Sequence, residues 1–151
     1  MKTPPIALSE FLTEKSYFRI KMHLITSNHF KIICKINGIR GTFILDTGAS
    51  TTFIDLKQED KFKLTTQPSV IKASGAGPDK IDTFLSKNNT IKIGKWVKTR
   101  FPIALIDLSY VNNAFDSINT TPVHGIIGAD VLKKGSAVID YEKKYLYLKH
   151  K

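Results

Sequence analysis

One stretch constrains this chain more than any other: Phe43-Ile44-Leu45-Asp46-Thr47-Gly48-Ala49-Ser50, an apolar run that ends in an acid, a hydroxyl and a glycine. Three consecutive apolar residues favour a strand covered on both faces, and Gly48 permits a sharp reversal or a close backbone approach. Asp46 is thereby delivered to a place where water is scarce. An isolated buried carboxylate is costly, so such an acid has to be paired, hydrogen-bonded or shifted in pKa. Thr47 and Ser50 supply hydroxyls able to orient it. The plain structural alternative is that Asp46 caps its own turn, accepting from the amide of Gly48 or Ala49, as Asp commonly does before Gly.

A second stretch of matching character lies far down the chain: Gly125-Ile126-Ile127-Gly128-Ala129-Asp130-Val131-Leu132. The two in this order resemble the retropepsin-like aspartic peptidases, single-domain enzymes of bacterial or retroviral type. In that family a hydrophobic-hydrophobic-Asp-Thr-Gly-Ala/Ser segment carries the catalytic acid. A later hydrophobic-hydrophobic-Gly segment packs against it before a short helix. Asp46, Thr47 and Gly48 match the first motif, and Ile126, Ile127 and Gly128 the second. The resemblance spans about residues 30–148 and implies an all-β, closed barrel of short strands with a flap hairpin and one short helix.

Taken residue by residue, the resemblance makes Asp46, Thr47 and Gly48 catalytic. It gives Ala49, Ile126 and Ile127, together with the flap tip Ser74-Gly75-Ala76-Gly77, to the substrate. Gly125, Gly128 and Asp130 complete the second motif. The sequence departs from retroviral members in one linked way. Ala129 stands where many carry Arg, and Ser50 where they carry Asp, so both halves of a family ion pair lose their charge together.

The rest of the chain reads as short strands and turns. Residues 1–16 form an N-terminal arm or short helix, with Leu8, Phe11 and Leu12 at helical spacing and Ser9 as N-cap; the family-like domain occupies 17–151. Phe18, Ile20, Met22 and Leu24 alternate with polar residues, the period of a half-buried strand. Asn37-Gly38 predicts a type I′ turn between two strands. Residues 70–84 read as two arms joined by a tip rich in small residues, whose Gly75 and Gly77 leave the freedom a lid requires. Residues 90–97 and 99–106 predict a hairpin, with Trp96 as a core or edge anchor. Residues 107–123 predict a long loop or broken helix bordering the cleft. Residues 137–148 close the domain as a hairpin.

Composition narrows the function classes. At 151 residues one domain suffices, and no apolar run approaches the roughly 20 residues needed to span a bilayer. No membrane partner is expected. The net charge of +10 is spread over lysines on alternating segments, without a basic run or interleaved aromatics, so it reads as a solvated surface and no nucleic-acid partner is expected. Tyr145 and Tyr147 beside Lys143, Lys144 and Lys149 are the best support for the contrary view. His23, His29, His124 and His150 lack ligand spacing, so neither a metal nor another cofactor is expected. Cys34 is the sole cysteine, which excludes an intrachain disulfide and fits a cytoplasmic setting. The start of the chain lacks the pattern of a secretory signal.

Hydrolysis by carboxylates needs two of them side by side, one ionised to take a proton from water and one protonated to polarise the scissile carbonyl. Aspartic proteases are the known case of two acids sharing one proton. Only one Asp-Thr-Gly is present, so the resemblance implies a homodimer whose axis sets Asp46 beside its own copy, with a peptide or protein substrate between. Thr47 would by the same resemblance brace the pair across the axis. A catalytically silent peptide-binding or dimerisation domain would keep the same motifs.

Overall fold

The computed structural model describes residues 3–68, 82–118 and 121–150. In order, the elements are α1 (Leu8–Glu14), β1 (Tyr17–Lys21), β2 (His23–Leu24), β3 (Phe30–Ile36), β4 (Ile39–Leu45) and β5 (Phe53–Asp55). A 3-10 turn, Leu56–Gln58, leads to β6 (Thr66–Pro68), β7 (Phe84–Ile93), β8 (Trp96–Ile106) and α2 (Ser109–Ser117). The chain ends with β9 (Gly125–Ile127), α3 (Ala129–Lys134), β10 (Val138–Asp140) and β11 (Tyr145–Lys149).

Six of these strands close on themselves. The order β3-β4-β9-β5-β8-β7 returns to β3 through Lys35↔Lys92 and Ile36↔Ile91, with β2 and β6 as flanking additions. The alternation on β3 explains why it can face inward along its length: Phe30, Ile32, Cys34 and Ile36 are buried, and the lysines between them are not. Asn37 and Gly38 both take positive φ, 52° and 83°, which is what a type I′ turn requires between β3 and β4. The interior is filled by Ile32, Phe43, Ile54, Phe62, Ile91, Trp96, Ile103 and Leu105. Each fully buried aliphatic or aromatic side chain of this kind stabilises the fold by roughly 1.5–3 kcal/mol.

β9 decides where the two motifs meet. It runs parallel to β4, pairing Ile44↔Ile126 and Leu45↔Ile127, and antiparallel to β5 on its other side. A Cβ on Gly125 would run into the Phe53 carbonyl oxygen and the Phe43 ring, so only glycine lets β9 slot between its neighbours.

A separate three-stranded antiparallel sheet, β1-β11-β10, joins the two ends of the described chain. The alternating segment that starts at Phe18 divides between the two sheets: Met22, which donates to the Lys144 carbonyl at 2.9 Å, ends the run, and β2 crosses to the barrel sheet.

Several elements differ in detail from expectation. Among the described residues three α-helices are present: α3 is the short helix expected of the domain, α1 takes the helical form of the arm, and α2 occupies part of the stretch expected as a long loop or broken helix. Ser9 does not cap α1; Ala7 stands at the N-cap, and the Ser9 carbonyl accepts the Thr13 hydroxyl. The long hairpin turns at Gly94-Lys95, where Gly94 has a φ of 58°, so Trp96 and Val97 open the second strand instead of ending the first. Among the described residues no helix is long and apolar enough to cross a membrane.

Candidate active site

Asp46 sits one residue beyond β4, and its amide donates to the Ile127 carbonyl at 2.9 Å, so the β4–β9 ladder carries it to the rim of the barrel. There the chain turns. Gly48 N donates to Asp46 Oδ1 at 2.8 Å and Ala49 N to the Asp46 carbonyl at 3.2 Å. The bond foreseen for a capping Asp is therefore made, and it holds the carboxylate by one oxygen. Asp46 is half-buried, while Thr47 and Gly48 are exposed.

The turn rests on the second motif. Ala129 N donates to the Ala49 carbonyl at 2.7 Å. A Cβ on Gly128 would lie 2.7 Å from the carbonyl oxygens of both Ala49 and Thr51, a distance no side chain tolerates, so the loop can lie flat only on glycine. Asp130 fastens the far side. Its Oδ1 accepts from the Thr52 hydroxyl at 2.7 Å and from Val131 N at 2.8 Å, and its Oδ2 accepts from Thr52 N at 3.0 Å. The fully buried Thr52 hydroxyl accepts in turn from Gly128 N at 3.1 Å. Thr52 was not singled out in the sequence; its position six residues after Asp46, with a hydroxyl inside a strand entry, was the only signal.

A cavity of about 150 Å³ opens at Asp46 and Thr47. Its other walls are Asn28, His29, Phe30, Leu45, Ile139 and Tyr141, so it is bounded by the β2–β3 turn on one side and the end of β10 on the other. Tyr141 is 70% exposed with its ring 5.0 Å from that of Phe30. None of His29, Ile139 and Tyr141 carried a sequence motif, because they reach Asp46 only through the fold. A larger groove of about 430 Å³ lies between the Asn37 turn and β6–β7, lined by Lys63, Gln67, Lys87 and Asn88 among others. None of its described lining residues is an acid, so the chemistry favours the smaller cavity.

The two isoleucines of the second motif divide between faces. Ile127 is wholly buried in the main core and supports the floor from beneath. Ile126 is half-buried on the opposite face, beside Ile44. Ser74, Gly75, Ala76 and Gly77 lie outside the described residues.

His124, just before β9, accepts from Thr42 N through Nδ1 at 3.0 Å, which assigns the proton of its neutral form to Nε2. Burial lowers its pKa, Lys61 lowers it further, and Asp55 opposes them. Burial pushes the Cys34 thiol well up, in keeping with a structural role. Among the described residues no three potential metal ligands gather.

A family model described as aspartyl protease matches residues 32–131, from β3 through both motifs into α3. The chain belongs to the aspartyl protease family. Solved structures of similar fold include the EIAV protease complexed with the inhibitor HBY-793, at 20% identity and a TM-score of 0.57, covering 76% of this chain and 95% of that one. A retropepsin-like aspartic protease from Rickettsia conorii gives 18% identity and a TM-score of 0.54, covering 87% and 91%. The retroviral protease-like domain of Ddi1 from Leishmania major gives 14% identity and 0.54, covering 80% and 88%. At these identities the likeness establishes a retropepsin-like fold for this family member. No curated protein matches the chain in sequence.

Proposed function

We propose that the protein is an aspartic endopeptidase that works as a homodimer, with water activated between two Asp46 carboxylates, one from each copy. The observation that supports this best is the setting of Asp46: a half-buried acid at the open rim of the barrel, pinned by Gly48 N and bordering a cavity. One carboxylate takes a proton from water as the oxygen attacks the carbonyl carbon. The other, protonated, passes its proton to the carbonyl oxygen, and the resulting diol collapses with the C–N bond breaking and a proton going to the amine.

The dimer reading draws on two further features. Thr47 is exposed in the single chain, where a contact across a two-fold axis would cover it. Among the described residues β10 is an edge of its sheet, and Ile139 within it and Tyr141 just after it border the Asp46 cavity. Antiparallel pairing of β10 with its own copy would join two such cavities into one cleft and satisfy the free strand edge.

A silent peptide-binding domain is the second reading, favoured by the Asp46–Gly48 bond, which serves as a turn cap whether or not catalysis occurs. Wild type and Asp46→Asn, compared on a mixed peptide library with sedimentation in parallel, separate the two. Cleavage by a dimeric wild type and none by the variant is the expected result. Equal cleavage by both, or a strict monomer at high concentration, overturns the proposal.

A further inference from the structure

The strip of barrel beside the catalytic acid is not bare. Side chains alternate along β4, so Ile44 shares a face with Asp46, while Phe43 and Leu45 turn into the main core. Ile126 stands directly across from Ile44 on β9 and shares that face. Two residues of extended chain span about 7 Å, so Ile44 lies within side-chain reach of a peptide residue that flanks a bond held at Asp46.

α2 covers this strip. Phe115 and Val123 pack with Ile44 in a small apolar cluster separate from the main core, with Ile25, Val111 and Ile126 against it. Ile44 keeps 4% of its exposure and Phe115 6%. The Phe115 ring also meets the edge of His29, centroids 6.1 Å apart, and His29 is a wall of the Asp46 cavity. The cover is held at both ends. Asn112 accepts from Val123 N at 2.8 Å and donates to the Val123 carbonyl at 3.1 Å, binding the helix to the segment that enters β9. At the start of α2, Asp107 accepts from Ser109 N at 2.9 Å, and Lys57 donates to the Ser109 hydroxyl at 2.6 Å.

We infer that Phe115 is the specificity-determining residue of this site: carried by α2, it fills the apolar space beside Asp46 and restricts one peptide position next to the scissile bond to small side chains. This rests on the proposed peptidase reading for its location but not for its logic, since a wall of this kind selects peptides whether or not they are cut. Its basis is shape. The apolar strip formed by Ile44 and Ile126 would receive a large side chain well, and Phe115 occupies it.

The test uses two peptides that differ only in that flanking residue, alanine in one and phenylalanine in the other. The full chain, Phe115→Leu and Phe115→Ala are compared by kcat/KM for cleavage. The same comparison is made by calorimetric binding of non-cleavable hydroxyethylene versions, with thermal melting to show that each variant is folded. Wild type is expected to favour alanine, and Phe115→Ala to move the ratio toward phenylalanine by roughly ten-fold or more, with Phe115→Leu between them. Phe115→Leu keeps most of the packing and stands in if the alanine variant does not fold. An unchanged ratio in folded variants overturns the inference and leaves the peptidase reading standing. Selective binding without cleavage overturns the peptidase reading and keeps the inference. Neither binding nor cleavage overturns both.

Discussion

Thr52, two residues past the first motif, and Asp130 of the second are joined twice: the hydroxyl donates to Oδ1 at 2.7 Å and the amide to Oδ2 at 3.0 Å. This pair fixes the position of α3 against the loop that follows Asp46. Replacing Asp130 by Ala leaves Thr52 N, the Thr52 hydroxyl and Val131 N without their acceptor, and is expected to cost about 3 kcal/mol. Asp130→Asn keeps an acceptor in place and should cost about 1 kcal/mol. Urea denaturation of the two variants measures the difference.

The two glycines of the site are expected to differ in how far alanine destabilises the fold. In Gly128→Ala the new methyl meets two backbone carbonyl oxygens at 2.7 Å, so the Asp46 loop must move; a loss of roughly 1–3 kcal/mol in stability accompanies any loss of cleavage. At Gly48 the nearest atom outside the adjoining residues is Asp46 Oδ1 at 3.2 Å. Gly48→Ala should change stability by less than about 0.5 kcal/mol while altering turnover. Melting and kcat measured on both variants give the contrast.

His124 makes the fold weaker in acid. Its folded-state pKa lies below the unfolded value, so the neutral ring that accepts from Thr42 N is favoured by folding. The unfolded chain then binds the extra proton first. The stabilisation is fully present above the unfolded pKa of about 6.5 and is lost as pH falls through the lowered folded value. His124→Asn, whose Oδ1 can accept from Thr42 N without titrating, should show a shallower fall in stability below about pH 6.5. Denaturation midpoints across that range check it; parallel curves would contradict it. A peptidase that needs one proton on its acid pair would thus lose structural stability in the direction that favours protonation.

Tyr141 tests the proposed assembly. It is 70% exposed and borders the Asp46 cavity, so truncation should leave the single chain folded. Tyr141→Ala is expected to raise the dimer dissociation constant by roughly ten-fold or more, the effect of removing an aromatic anchor from an interface. Cleavage by the variant should be weak when dilute and recover as concentration rises. Sedimentation and activity measured over one dilution series decide it.

The sequence revealed those parts whose signal is local. Asn37-Gly38 announces its turn by the φ values it must adopt, and the β3 and β4 strands announce themselves by their alternation and apolar run. Asp46 and Gly48 are legible as an acid and its turn, and Gly128 because the close approach of the Ala49 and Thr51 carbonyls demands a glycine. What stayed hidden depends on distant packing. α2 lies in a stretch rich in Asn, Ser and Thr, and it is held by Phe115 on Ile44 and by the Asn112 pairing with Val123, contacts made across the chain. Ile126 and Ile127 look alike in sequence, and only the pleat of β9 sends one to the small cluster under α2 and the other to the main core.

β1 lies along β11 from Tyr17↔Lys149 to Lys21↔Tyr145, so the first and last strands of the described chain pair with each other inside one molecule. Coming apart need not mean unfolding. Under the proposed assembly, separated copies would remain whole but idle, and how crowded they are would decide whether they act: dilution is a brake and local accumulation a trigger.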